Sequence, residues 1–317
     1  MSELAERLLI VFIDVILPLI IGYCFNKYHL VSIKTCNLLL KLNIRLIITV
    51  VGFGSFWLIN IDSNLFLLAF IGIVPCSIIP GILAYFYAQK NIKNLPTRSS
   101  YILSSMLSNT GTLGGLCAFI AMGQLAYAYV QVVAMAQNIF TLMYNFPLAE
   151  YFHQKCVAGN KAKFKPNWRS IIFSWNQIGL ISMFVGAIFN LYHIPRPDLF
   201  DPIFNSFVHL SAWCGILPVG YLLNFKAAKI YKYITFSLFP VRFILVPFIC
   251  YFTANLFTHN PIILAVVTLM GLCPIGVNSI VITQLYQLNV RLAEAAFINS
   301  TIVFLFIIYP LFLFFLL

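Results

Sequence analysis

Apolar runs of roughly 20 residues, divided by short polar segments, recur along the whole chain, and each is long enough to cross a bilayer core of about 30 Å. Ten such runs predict ten membrane spans, near residues 7–26, 36–59, 65–88, 99–121, 125–150, 170–191, 202–224, 233–256, 261–285 and 293–316. One span breaks its own pattern. In the fourth, Ser108-Asn109-Thr110-Gly111-Thr112-Leu113-Gly114-Gly115 puts small polar residues and glycines where apolar helix should continue. Such residues weaken a helix, and backbone that leaves the helical ladder in lipid must be buried in protein or line a watery cavity. Two readings follow: a Gly111-x-x-x-Gly115 packing notch between helices, or the broken centre of a transport site.

Composition agrees with a polytopic membrane protein. Hydrophobic residues make up 62% of the chain and charged residues only 9%, where soluble domains carry nearer a quarter charged. The first run is too long for the core of a cleaved signal peptide, so it is expected to remain as a span. The net charge of +11 does not point to nucleic acid, because the basic residues fall in alternate short loops. Fifteen of the 19 lie there, among them Lys27, Lys34, Lys90, Lys93, Lys155, Lys226, Lys229 and Arg291. The opposite loops and both termini hold only Arg7 and Arg196, while Arg45 and Arg242 fall within spans. By the positive-inside rule, both termini should face outward and the basic loops the cytoplasm, in a cell-membrane protein. Eight scattered cysteines without a C-x-x-C spacing and five dispersed histidines suggest neither disulfides nor a metal or other cofactor.

The basic segment 153–169 follows the fifth span and divides the chain into five-span halves, 1–152 and 170–317. An odd number of spans inverts the second half relative to the first. The first span ends Gly22-Tyr-Cys-Phe25-Asn26-Lys-Tyr28-His29-Leu30 and the sixth ends Gly186-Ala-Ile-Phe189-Asn190-Leu-Tyr192-His193-Ile194, 164 residues later throughout. The same offset carries Gly111 to Ile275, inside Cys273-Pro274-Ile275-Gly276-Val277-Asn278-Ser279 of the ninth span. Inverted repeats with interruptions at matching positions are the mark of a secondary transporter. Half-helix N-termini would then offer free N–H groups and positive dipole ends to a substrate, with Asn109, Thr110, Asn278 and Ser279 adding side-chain hydrogen bonds. Pro274 removes a donor and frees a carbonyl one turn earlier. Its plainer reading is an ordinary helix kink.

These segments carry a family resemblance. The run 104–114, Arg242-Phe-Ile-Leu-Val-Pro247, Cys273-Pro-Ile-Gly-Val-Asn-Ser-Ile-Val281 with Gln284-Leu-Tyr286, and Ala293-Glu-Ala-Ala with Asn299-Ser-Thr301 and Tyr309-Pro310 together resemble the auxin efflux carrier family of membrane permeases. That family includes plant auxin exporters and bacterial malate or malonate permeases, and the likeness runs over essentially the whole chain. It implies ten spans in two inverted repeats, with spans 1, 2, 6 and 7 as a scaffold. A transport domain of spans 3–5 and 8–10 would move against that scaffold like an elevator. It also implies a small organic anion as substrate and often a homodimer, formed through the scaffold helices. The chain departs from the family in having Leu116 where a proline usually follows the span-four run, Ile48-Thr49-Val50 in place of a span-two proline, and Asn176-Gln177 in place of an Asn-Pro pair.

Other polar residues at membrane depth extend the candidate site. Asp14 reads either as a coupling carboxylate or as a hydrated group near the outer interface. Arg242 reads either as the charge that neutralises an anion or as a snorkelling side chain. Gln137 and Asn138 sit near mid-span and either line the substrate path or join helices by hydrogen bonds. A membrane-embedded lipid-modifying enzyme would need acid–base or metal residues at one depth, and the chain has no H-E-x-x-H or G-x-S-x-G motif, so it is not expected to be an enzyme. A sensor that keeps the fold without transport is the other alternative.

Overall fold

The computed structural model describes residues 3–59, 61–158, 178–223 and 225–316. Most of the basic segment 153–169, including Trp168, and the start of the sixth span through Trp175, Asn176 and Gln177 lie outside the described residues. What is described is almost entirely helical, without a named strand among the described residues. In chain order the helices are α1 (Ala5–Lys27), α2 (Ile33–Leu58), α3 (Asn64–Asn91), α4 (Leu95–Met106), α5 (Thr110–Val157) and α6 (Ile178–Leu191). They continue as α7 (Phe200–Tyr221), α8 (Phe225–Ile230), α9 (Lys232–Asn255), α10 (Pro261–Leu272), α11 (Asn278–Leu285) and α12 (Val290–Leu316). Seven of them, α1, α2, α3, α5, α7, α9 and α12, are long and apolar enough to cross a membrane. The chain is an all-α polytopic membrane protein.

Local chemistry sets the helix ends. Ser32, Asn94, Asn260 and Asn289 each stand at the N-cap of α2, α4, α10 or α12 and accept a hydrogen bond from a first-turn backbone N–H. The 48-residue α5 is far longer than a single crossing needs, and Gly123 folds it back on itself at φ +78°, ψ −165°, backbone angles open only to glycine. It therefore has two arms, one before and one after Gly123. Two-thirds of the apolar window of α5 is buried, against 28% for α1 and α2, so the core is built around α5. Large apolar side chains such as Phe66 and Phe86 remain exposed on the lipid side.

The two matching sequence tracts take the same local conformation. His29 and His193 both take left-handed angles, φ 54° and 52°, closing α1 and α6. Leu30 N donates to Phe25 O and Ile194 N to Phe189 O, each at 3.0 Å. Gly22 then lies against the backbone of 217–221 in α7, and Gly186 against the backbone of Phe53 in α2. Asn26 Nδ2 donates to Tyr221 O at 2.5 Å, whereas Asn190 Nδ2 donates to both Trp57 O and Ile59 O at 2.8 and 2.7 Å. Interhelical bonds of this kind are worth about 0.6 kcal/mol each in membrane proteins. Asn190→Ala should therefore lower thermal stability in detergent more than Asn26→Ala, by about 1–2 kcal/mol, because it orphans two carbonyls rather than one. The reverse order in unfolding temperatures would show that packing at Gly22 outweighs these bonds.

Candidate functional site

Two helices are interrupted in the middle of the molecule, and the interruptions cross. Helix α4 stops at Met106 and α5 starts at Thr110; α10 stops at Leu272 and α11 starts at Asn278. The intervening extended strands run antiparallel, with Ser108 opposite Ile275. Asn109 N donates to Pro274 O and Gly276 N to Leu107 O, both at 2.8 Å. These bonds absorb backbone groups that the lost helical ladder would leave open. Proline at 274 costs nothing there, since only its carbonyl is used. A Cβ on Gly276 would fall 2.8 Å from Ser108 O, so glycine is needed for the close approach. Ser300 Oγ accepts from Ile275 N at 3.0 Å and fixes the second strand from α12.

The crossing corrects the expected register. The sequence offset of 164 set Gly111 against Ile275; the residue opposite Ile275 is Ser108, an offset of 167. Asn109 O already accepts from Gly114 N at 2.9 Å, so Gly111 belongs to the first turn of α5 and the break lies before it. Neither a simple notch nor a kink describes these segments, although Gly114 does pack tightly: its Cβ would lie 2.5 Å from Cys273 Sγ.

Gln137, on the second arm of α5, holds the break together. Its Oε1 accepts from Thr110 Oγ1 at 2.7 Å, and its Nε2 donates to Ser108 Oγ at 2.6 Å and Ser77 Oγ at 3.2 Å. One amide thus spans both sides of the interruption and ties them to α3. Leu116, where a proline was expected from the resemblance, is buried inside the first arm.

A cavity of about 440 Å³ opens beside the crossing. Asn109, Thr110, Gly111, Gly276, Asn278, Gln137 and Asn138 line it, as the sequence suggested. Pro274 and Ser279 do not: both are buried, and Ser279 Oγ is turned inward, donating to Gly276 O at 2.8 Å. Among the described residues, the side-chain amides of Asn109 and Asn278 have no hydrogen-bond partner, and both face the cavity. The first turns of α5 and α11 also start there, with the partial positive charge of helix N-termini, although at α11 Ser279 N and Ile280 N already donate to Gly276 O and Val277 O at 3.0 and 2.9 Å. Apolar walls from α1, α2, α6 and α7 complete the cavity, which runs from the crossing toward the basic ends of the helices, past Leu40, Phe146, Val219 and Ile282.

Five lining polar residues were not anticipated: Asn43, Gln131, Thr141, Ser211 and Thr301. Asn43 Nδ2 donates to Ser211 O at 3.2 Å, leaving Asn43 Oδ1 and Thr301 Oγ1 buried without partners. Two of them sit at irregular backbone. Asn43 and Thr141 each open a π-helical turn, Asn43–Ile47 and Thr141–Asn145, a local irregularity frequent at functional sites. Asn145, outside the lining, donates from Nδ2 to Thr141 Oγ1 at 3.2 Å.

The two candidate charges lie away from the cavity, whose lining holds no acidic or basic side chain among the described residues. Asp14 is neither hydrated nor aimed at the cavity. It is 5% exposed and bound across α1 and α7, its Oδ2 2.5 Å from His209 Nδ1 and its Oδ1 accepting from Trp213 Nε1 at 3.1 Å. Histidine and tryptophan one turn apart on α7 meet it at the π-helical turn of α1. Arg242 does not snorkel. It is 2% exposed, Nη1 donates to Cys76 O at 3.0 Å, and Nε and Nη2 have no partner. Cys76 adjoins Ser77, so this cation sits one residue layer behind the Gln137 brace. No protein-family model and no curated protein matches the sequence.

Proposed function

We propose that the chain is a secondary permease that carries a small organic anion and binds it where the two broken helices cross. The observation that carries this reading is the meeting of two half-helix N-termini, with the unengaged amides of Asn109 and Asn278, in one cavity with no fixed negative charge among its described lining residues. Such a site suits a carboxylate head held by hydrogen bonds and helix dipoles rather than by an ion pair. The apolar walls suit the rest of a small organic molecule.

An inverted repeat of two five-span halves fits the matched contacts. The bonds Asn26 to Tyr221 and Asn190 to Trp57 exchange partners under the same 164-residue shift, as do the close approaches of Gly22 to Leu217 and Gly186 to Phe53. The π-helical turns Val74–Ile78 and Val241–Leu245 stand 167 residues apart, the offset of the crossing itself. Ten spans result when α4 is joined to the first arm of α5, the second arm is taken separately, α10 is joined to α11, and α6 is counted with the long helices. In this reading α1, α2, α6 and α7 form the scaffold, the remaining spans slide against it, and the cavity faces the cytoplasm in a cell membrane with both termini outside. The resemblance to auxin efflux carriers supports the same assignment, including a homodimer through the scaffold.

The test is flux of small carboxylates in proteoliposomes under a set membrane potential. Asn109→Ala combined with Asn278→Ala should reduce uptake at low substrate at least tenfold, since a hydrogen bond to a charged group contributes about 1.5–3 kcal/mol. Undiminished flux would remove the site assignment. Carboxylates that stabilise the protein but never cross would identify a sensor.

A further inference from the structure

The two basic residues of the opposite loops and termini, Arg7 and Arg196, converge on one short turn. That turn is at Gly123, where α5 reverses. Arg7 Nη1, from α1, donates to Ala121 O on one side of it. Arg196 Nη2, from the segment before α7, donates to Gln124 Oε1 on the other side at 3.1 Å. Gln124 Nε2 donates in turn to Asn205 Oδ1 of α7 at 2.9 Å. Arg196 is itself fixed by Asp201 at 2.9 Å and lies over the rings of Phe200 and Phe204, 4.8 and 5.0 Å from their centroids.

We propose that these contacts form a latch that holds the cavity shut on the face opposite the basic loops. The proposal rests on the permease reading, in that it assigns the turn to the moving part and both arginines to the scaffold. Three observations support it. The cavity is one-sided: toward the basic ends it continues past Phe146 and Val219, whereas toward the Gly123 turn it stops at Tyr127. Tyr127 packs edge-on against Phe119 and Phe204, at 6.2 and 5.8 Å, closing a roof directly below the latch. Every polar latch contact joins the turn to α1, α7 or the segment before α7; the turn makes none to its own neighbours α3, α10 or α12 among the described residues.

The chemistry suits a contact that forms and breaks. Ala121 lies in the last turn of the first arm, where helix carbonyls lack partners and the dipole is negative, so Arg7 is attracted without a carboxylate. Gly123 has open space where a side chain would be, so the turn can shift without striking a neighbour. Moving it away from the scaffold would break at least three hydrogen bonds, two of them to charged groups, and separate Tyr127 from Phe204. Each charged hydrogen bond biases an equilibrium about tenfold or more. The latch therefore favours the state open toward the basic face.

Sidedness of access tests this without any substrate. A Ser211→Cys reporter on the cavity wall is labelled in oriented vesicles with a membrane-impermeant maleimide applied from either face, and labelling of the parent chain without the reporter is subtracted. Gln124→Ala should raise labelling from the face opposite the basic loops at least fivefold, while Gln124→Glu, which adds a charge pair with Arg196, should lower it below the parent value. Asn205→Ala is the second variant, and should act in the same direction as Gln124→Ala if that protein folds poorly. Unchanged sidedness in folded Gln124→Ala or Asn205→Ala would overturn the latch. Shifted sidedness without carboxylate flux would leave the latch standing and defeat the substrate assignment instead.

Discussion

Gly276→Val should abolish flux and destabilise the protein, while Gly111→Ala, in the first turn of α5 three residues beyond Ser108, should leave the fold intact. The difference is geometric. A Cβ on Gly276 meets Ser108 O at 2.8 Å, Ser108 C at 2.9 Å and Asn109 N at 3.2 Å, all backbone atoms that cannot rotate away. They are held by the reciprocal bonds Gly276 N to Leu107 O and Asn109 N to Pro274 O, and by Ile275 N to Ser300 Oγ. Relief requires the strands to separate, which opens backbone groups in a region without bulk water. Overpacking costs about 1–3 kcal/mol and an unsatisfied buried backbone group a similar amount again. Valine adds β-branching to the clash. At Gly111 the nearest atom to a new Cβ is Ala134 Cβ at 3.6 Å, an ordinary contact, so alanine there only narrows the cavity. Thermal unfolding and proteoliposome flux, measured on both variants, decide the matter. Normal flux from Gly276→Val would mean that the crossing is not part of the transport path.

The membrane-spanning architecture was legible because burial in lipid demands long apolar runs, and those runs survive any local rearrangement. The crossing was legible in part. Polar residues at 108–112 and Pro274 announced two interruptions, and the Gly22/Gly186 tract supplied an offset that brought them close. The offset failed by three residues because hydrogen bonding sets where each helix resumes: Asn109 O captures Gly114 N and Gly276 O captures Ser279 N, and neither capture leaves a sequence signature. Leu116 stands where the resembled family usually has a proline after this run. The break persists because Gln137, 21 residues further on, supplies the bonds. A brace between residues so far apart in sequence is a property of packing, and single-residue chemistry predicts only that Gln137 needs some partner. For the same reason Asn43 and Ser211 came to light only when α2 and α7 were seen to share a cavity wall.

Arg242→Met should raise thermal stability and lower affinity for an anion, two effects of opposite sign from one charge. Arginine stays protonated in proteins, so the side chain is a full cation. Its surroundings give little in return: one carbonyl at 3.0 Å, two unpartnered nitrogens, and no carboxylate paired with it among the described residues. Desolvating such an ion costs several kcal/mol, and exchanging buried ionic groups for packed apolar ones of similar volume is often stabilising by about 1–4 kcal/mol. Retaining the charge there makes physical sense if something else benefits. The cavity beyond Gln137 has helix N-termini and amides but no cation among its described lining residues, and a unit charge acting across roughly 10 Å at an effective dielectric near 20 contributes about 1.7 kcal/mol. That is about fifteenfold in affinity for a monovalent anion. Arg242→Lys should keep most of the affinity, since the charge remains, while losing the bond to Cys76 O. The measurements are unfolding temperature and half-saturating carboxylate concentration for both variants. Loss of stability in Arg242→Met with unaltered affinity would make the guanidinium a brace between α3 and α9 and leave the helix dipoles alone to hold the anion.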